Sequence, residues 1–290
     1  MPDFVFVLLT VLRDSPSLFI AFSVVLGLIV GSFLNVVIHR LPRMMELAWQ
    51  QERLAAEGQE LAQQPRYNII TPRSRCPHCQ HAISALENIP VLSYLALGRK
   101  CRGCKTRISP RYPLVEALTG LLAGLASWHF GYSSLAVAAW IIIFALVALT
   151  FIDLDTQLLP DDITLPLLWL GLLFNLDGGF TDLSSSVIGA ALGYLILWSV
   201  YWLFKLVTGK EGMGYGDFKL LAALGAWFGW QLLPAVILLS SVAGSIIGIS
   251  LIVFTKHGRE TPIPFGPYLA LGGIAALFFG KQLSQLYLGG

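Results

Sequence analysis

The chain has 290 residues, of which 56% are hydrophobic and 12% charged, with a formal net charge of +2. Soluble domains carry about 25% charged residues. With a mean hydropathy of +0.70, the composition excludes an ordinary cytosolic enzyme, a disordered chain and a nucleic-acid binder acting through bulk positive charge, and points to a membrane protein.

The apolar run 4–12 is too short to cross a bilayer and ends at Arg13-Asp14-Ser15-Pro16, so it is expected in the interface. Met1-Pro2-Asp3 lacks the positive start of a secretory signal. A hydrocarbon core of about 30 Å needs about 20 apolar residues. Eight stretches read as spans: 18–38, 113–130, 134–152, 163–177, 185–206, 217–230, 232–254 and 266–284. The fourth and sixth are short enough to be partly re-entrant.

Between the first two spans lies a polar insert. Residues 40–111 carry 12 of the 19 basic groups and 5 of the 17 acidic ones. The positive-inside rule makes this insert cytoplasmic. Alternation then puts 153–162, 207–216 and 255–265, with Lys210, Lys256 and Arg259, on the same side and both termini outside. The expected fold is therefore an all-α polytopic membrane protein of about eight helices with a cytoplasmic four-cysteine insert. Its parts are 1–39, an N-terminal segment and first span; 40–112, the insert; and 113–290, a seven-helix membrane domain. Residues 44–64 are expected as a solvated or interfacial helix, with Leu47, Leu54 and Leu61 at heptad spacing. No internal repeat is visible. Small-xxx-small pairs (Gly27/Gly31, Gly120/Gly124, Gly189/Gly193, Gly225/Gly229, Gly244/Gly248) predict close helix packing.

The insert contains Cys76-Pro77-His78-Cys79 and Cys101-Arg102-Gly103-Cys104. Two C-x-x-C turns at this separation fit a tetrahedral zinc site, and four thiolates leave no open position for catalytic water. The predicted role is structural. Arg73, Arg75, Arg99, Lys100, Arg102, Lys105 and Arg107 are placed to offset the thiolate charge.

Acidic residues at membrane depth are costly and mark function. Asp161 or Asp162 fits an N-cap before Ile163, and Asp217 allows the same reading. Asp153 resists it, because it closes the third span at the unfavourable end of the helix dipole. Asp217 sits in Gly214-Tyr215-Gly216-Asp217, whose glycines offer close backbone approach and permissive angles. Asp153 and Asp217 come from different spans near one face and can meet. Two carboxylates sharing one proton hydrolyse a peptide without metal. The alternative is a proton relay in a transporter, which a site near one face rather than the midplane disfavours.

The ordered set of motifs resembles the bacterial type IV prepilin peptidases, bifunctional leader peptidase/N-methyltransferases of the GxGD aspartic class. The matching stretches are 31–42 (GSFLNVVIHRLP), the two C-x-x-C turns, 111–116 (RYPLVE), 151–155 (FIDLD), 159–161 (LPD) and 214–220 (GYGDFKL). The resemblance implies an inner-membrane enzyme that cuts basic leaders from type IV prepilins and type II secretion pseudopilins after Gly, on the cytoplasmic side. It then methylates the new N-terminus, usually Phe, with S-adenosylmethionine. It implies Asp153 and Asp217 as catalytic, with Gly214, Gly216, Asp155, Asp161 and Lys219 in support. Cys76, Cys79, Cys101 and Cys104 are linked to methyl transfer.

No G-x-G-x-x-G loop is present for the methyl donor, which leaves Asn35, Arg40 and Glu116 as candidate contacts. Their structural alternatives are interhelical hydrogen bonding, a snorkelling anchor and a paired helix-start charge. Asp155, Asp161, Asp162 and Glu211 are expected to attract the basic leader, and Lys219 to snorkel to the interface. No nucleic acid partner is expected.

Overall fold

In the computed structural model, residues 2–58, 67–254 and 263–288 are described; Leu61, Lys256 and Arg259 lie outside the described residues. Among the described residues the regular structure is helical, with two isolated β-bridges and no longer strands. The chain forms two compact units, Met1–Ala148 and Leu149–Gly290, with the boundary inside one helix.

The first unit holds α1 (Pro2–Asp14), α2 (Pro16–Ala56), the short α3 (Leu92–Ala96), α4 (Arg111–Phe130) and most of α5 (Ser134–Thr156). The second holds the end of α5, then α6 (Asp161–Phe174), α7 (Leu183–Thr208), α8 (Tyr215–Phe228), α9 (Leu233–Phe254) and α10 (Gly266–Leu288). Each of the eight predicted spans falls on a helix. Among the described residues, five helical stretches are long and apolar enough to cross a membrane: Pro16–Ala56, Ser134–Thr156, Leu183–Thr208, Trp230–Leu251 and Gly266–Tyr287. Helices α6 and α8 have 14 residues each, about 21 Å of rise, short of the hydrocarbon thickness.

The first span does not stop where the polar insert begins. Helix α2 runs 41 residues, through Pro42, to Ala56. The predicted polar helix is thus a continuation of the membrane helix, and its described part carries Leu47 and Leu54.

In the first unit α2 and α4 approach at their glycines. A Cβ added to Gly27 would lie 2.8 Å from the Gly120 Cα and the Thr119 carbonyl. A buried hydroxyl network locks the same helices and α5. Ser127 donates to Ser23 at 2.7 Å, and the Trp140 indole N–H donates to Ser127 at 3.1 Å.

In the second unit α8 is the central helix. From Asp217 to Phe228 every residue except Lys219 is buried, the signature of a helix enclosed by others rather than facing lipid on one side. Its contact with α7 leaves no room for side chains: a Cβ on Gly193 would sit 2.6 Å from the Leu221 carbonyl oxygen.

The far end of α8 is tied by Asn175, which is fully buried. Its Nδ2 donates to the Ala226 and Trp227 carbonyls at 2.8 and 3.0 Å, and its Oδ1 accepts the Phe180 N–H at 2.9 Å. Ser186 also donates to the Ala226 carbonyl. These bonds satisfy carbonyls that a helix end leaves without partners. Asn175→Leu strands several buried polar groups at once and is expected to cost about 3 kcal/mol, read as a lower unfolding midpoint in detergent.

Candidate active site and metal centre

Asp153 occupies the last turn of α5, and Gln157 ends the helix by turning to a φ of +55° while donating its N–H to the Asp153 carbonyl. Asp217 is the third residue of α8. Both carboxylates are buried, 4% and 6% exposed, and Leu159 packs against a glycine beside each: a Cβ on Gly266 would meet its Cδ2 at 3.0 Å, and one on Gly216 its Cβ at 2.7 Å.

Each is held by a backbone amide of a glycine. The Gly266 N–H donates to Asp153 Oδ2 at 2.9 Å, and the Gly214 N–H to Asp217 Oδ2 at 3.2 Å. Asp217 Oδ1 is buried without a hydrogen-bond partner among the described residues. Buried polar atoms nearly always have a partner, so this oxygen is available to water or a peptide.

Of the two roles the sequence reading gave the glycines of the 214–217 motif, close approach holds and permissive angles do not. Gly214 is the N-cap of α8 with an ordinary φ of −84°. It contributes its amide rather than a permissive backbone angle. Asp217 is not the cap; its carboxylate reaches back to the cap's N–H. Gly216 serves by closeness, since a Cβ there would lie 2.7 Å from the Leu159 Cβ. Leu159, in the 159–161 motif, thus wedges the α5–α6 loop against the start of α8.

The N-cap predicted at Asp161 or Asp162 is Pro160, in extended conformation, and both acids lie in the first turn of α6. There they favour the positive end of the dipole without a side-chain cap bond. Lys219 does not snorkel. Its Nζ meets Asp161 Oδ1 and Oδ2, both at 2.7 Å, joining α6 to α8 beside Asp217. Glu211 is likewise paired, with Lys205 at 2.8 Å, and that partner holds its carboxyl below the usual range. Two of the four acids expected to attract a basic leader, Asp161 and Glu211, are therefore engaged by the chain's own lysines; all four are exposed.

The four cysteines converge. Their sulfurs lie within 4.8 Å of one another, with Cys76–Cys104 at 3.8 Å and Cys79–Cys101 at 3.9 Å. Tetrahedral zinc with bonds of about 2.3 Å places thiolates about 3.8 Å apart, so the cluster fits such an ion. Disulfides, with sulfurs about 2 Å apart, do not fit.

The two turns repeat one backbone pattern, although the sequence showed no repeat. The Cys76 N–H donates to the His81 carbonyl, and the Cys101 N–H to that of Thr106, both at 2.9 Å. Gln80 and Lys105 follow the second cysteines with φ of +59° and +61°. The bridges Arg75–Ala82 and Lys100–Arg107 close the turns. The equivalence lies in hydrogen bonding, which side-chain identities hide.

Amides of Cys79 and His78 favour the Cys76 thiolate and lower its pKa. The Thr106 hydroxyl and amide lower Cys104 to about 6. The His81 amide favours the Cys79 thiolate too, but desolvation and the neighbouring sulfurs push that thiol up to about 11. His81 Nε2 faces Glu87 Oε1 at 3.2 Å, and Ser84 first, then His81, hold Glu87 down to about 2.

Profiles of two families match the chain: the Bacterial Peptidase A24 N-terminal domain over residues 25–130 and the Type IV leader peptidase family over residues 140–249. The chain is 57% identical over 280 residues to a protein of Stutzerimonas stutzeri, covering 96% of each. That protein carries the name prepilin leader peptidase/N-methyltransferase. So do relatives in Aeromonas hydrophila, 56% identical (97% of this chain, 98% of the other), and Pseudomonas aeruginosa, 55% identical (97% of each). The chain belongs to the type IV leader peptidase family. No solved structure matches it.

The three candidate donor contacts of this leader peptidase are engaged by backbone. Asn35 Nδ2 donates to the Tyr112 carbonyl at 3.1 Å, joining α2 to the start of α4. Arg40 is buried rather than snorkelling, because its guanidinium gathers the carbonyls of Asn68, Ile69 and Pro72 at 2.9, 3.2 and 2.5 Å. Glu116 Oε2 accepts the Val91 N–H at 2.8 Å. Val91 is a β-branched residue at φ +60°, a costly backbone conformation that this carboxylate holds in place. Arg40 and Glu116 thus fasten the insert to α2 and α4, and Asn35 joins those two helices.

Proposed function

We propose that the protein is an inner-membrane aspartic endopeptidase that removes the basic leader of type IV prepilins and type II pseudopilins after Gly. It then methylates the new N-terminal amine, with S-adenosylmethionine as donor. The observation that carries the proteolytic half is the buried pair Asp153 and Asp217, each held by a glycine amide, with Asp217 Oδ1 unpaired. One ionised carboxylate takes a proton from water, whose oxygen attacks the scissile carbonyl. The protonated partner bonds the carbonyl oxygen, and the tetrahedral centre collapses as the leaving amine gains a proton. The members of such a pair titrate together.

The cysteine cluster fits zinc, which would tie the two turns of the insert into one body. Asn35, Arg40 and Glu116 support the same body through their backbone bonds, so no step of methyl transfer is routed through them. The charge asymmetry supports a cytoplasmic insert and cytoplasmic aspartates.

Intact mass spectrometry of a type IV prepilin incubated with the purified protein and S-adenosylmethionine tests both halves. Loss of the leader with gain of one methyl is expected, and an unchanged prepilin would contradict the reading. Asp155 and Asp162 are two of the exposed acids suited to a leader's Lys and Arg. Neutralising both to Asn is expected to raise KM for basic leaders several-fold at low salt and less at high salt; an unchanged KM would remove them from leader binding.

A further inference from the structure

The Ile263–Gly266 segment enters the sequence reading only as the end of a loop and the start of a span, and it has no part in the water-activation step, yet its last residue touches Asp153. Gly266 opens α10. Its N–H is one of the donors that a helix start leaves without an intrahelical partner, and it points to Asp153 Oδ2 at 2.9 Å in a buried setting. The turn behind it is fixed, because the Phe265 carbonyl accepts the N–H groups of Tyr268 and Leu269 at 3.1 and 3.2 Å. Prolines flank it at 264 and 267.

The position also admits no side chain. A Cβ on Gly266 would lie 2.7 Å from Asp153 Oδ2, 3.1 Å from its Cγ and 3.0 Å from Leu159 Cδ2. Leu159 has little freedom to retreat, since it already packs against Gly216. A methyl group there would displace the carboxylate.

We propose that Gly266 is a positioning residue for proteolysis: its amide aims the Asp153 carboxylate, and its missing side chain leaves that carboxylate room at the reacting position. The inference rests on reading Asp153 and Asp217 as the proteolytic pair. Misplacing a reacting group by about 1 Å costs about 100-fold in rate. Gly266→Ala keeps the N–H and adds the colliding methyl. It is expected to lower kcat for leader cleavage by about 10- to 100-fold, with KM for the prepilin essentially unchanged.

Gly272→Ala, on the same helix, is the packing control. Its Cβ would meet Ser240 Oγ at 2.8 Å and the Val236 carbonyl at 2.9 Å, so it is expected to lower the unfolding midpoint while folded protein keeps its kcat. An amide-to-ester replacement at Gly266 removes the donor without adding an atom. It is expected to lower kcat and spare KM even if the alanine variant does not fold. Wild-type kcat in the ester variant, or an equal kcat loss per folded molecule in Gly272→Ala, would overturn the proposal while wild-type cleavage stands. A wild-type protein that leaves the prepilin intact would overturn the aspartate reading and this inference with it.

Discussion

Asp153→Asn and Asp217→Asn are each expected to lower prepilin cleavage by roughly three orders of magnitude or more, because residues acting as one acid–base unit lose the unit's function when either is removed. The double variant is expected to be no worse than either single one. Asn keeps an oxygen that can accept from Gly266 or Gly214, so the local hydrogen bonds and the fold are expected to persist. Initial cleavage rates and the unfolding midpoint, measured on the same preparations, check this. Methyl transfer to a pre-cleaved pilin is expected to continue in both variants. Residual cleavage in either at more than a tenth of the wild-type rate would show that the pair is not the proteolytic unit.

The second large effect concerns the insert. One zinc per chain is expected, bound by all four cysteines, and any Cys→Ser variant is expected to lose it. Structural zinc sites contribute about 10–16 kcal/mol of apparent binding free energy at neutral pH, more than the margin of a typical domain. The insert has two isolated bridges and few buried apolar side chains to replace that contribution, so its loss is expected to melt residues 67–110. Metal binding should release protons, since Cys79 holds its proton up to about pH 11 in the metal-free cluster. Metal analysis, proteolysis of the insert and proton release on adding zinc check this. A full complement of zinc in a double Cys79/Cys104 serine variant would contradict it.

Hydropathy placed each of its eight stretches on a helix because an apolar run needs no knowledge of its neighbours, although five helical stretches among the described residues are long and apolar enough to span. It missed the length of α2, where a change from apolar to polar residues at 40 marks a change of environment but not the end of the helix. The aspartate pair was legible from the cost of acids beside apolar spans. Its hydrogen-bond donors were legible only in part: Gly214 is near Asp217 in sequence, whereas Gly266 is 113 residues from Asp153. A signal did exist in the Pro264-Phe265-Gly266-Pro267 run at a helix start, which was read only as the start of a span. Lys219 was misassigned because its partner Asp161 is 58 residues away. Asn175, lost inside an apolar stretch, shows the same limit, since its five partners come from three separate segments.

The most direct test of two-aspartate cleavage is inhibition by a prepilin-derived peptide whose scissile amide is replaced by hydroxyethylene, which mimics the tetrahedral centre and cannot be cut. Transition-state mimics bind at least about 100-fold more tightly than substrates. An inhibition constant at least that far below the KM of the parent peptide is expected, with the advantage lost in Asp217→Asn. Binding no tighter than the parent peptide, or equally tight to Asp217→Asn, would contradict water activation by Asp153 and Asp217.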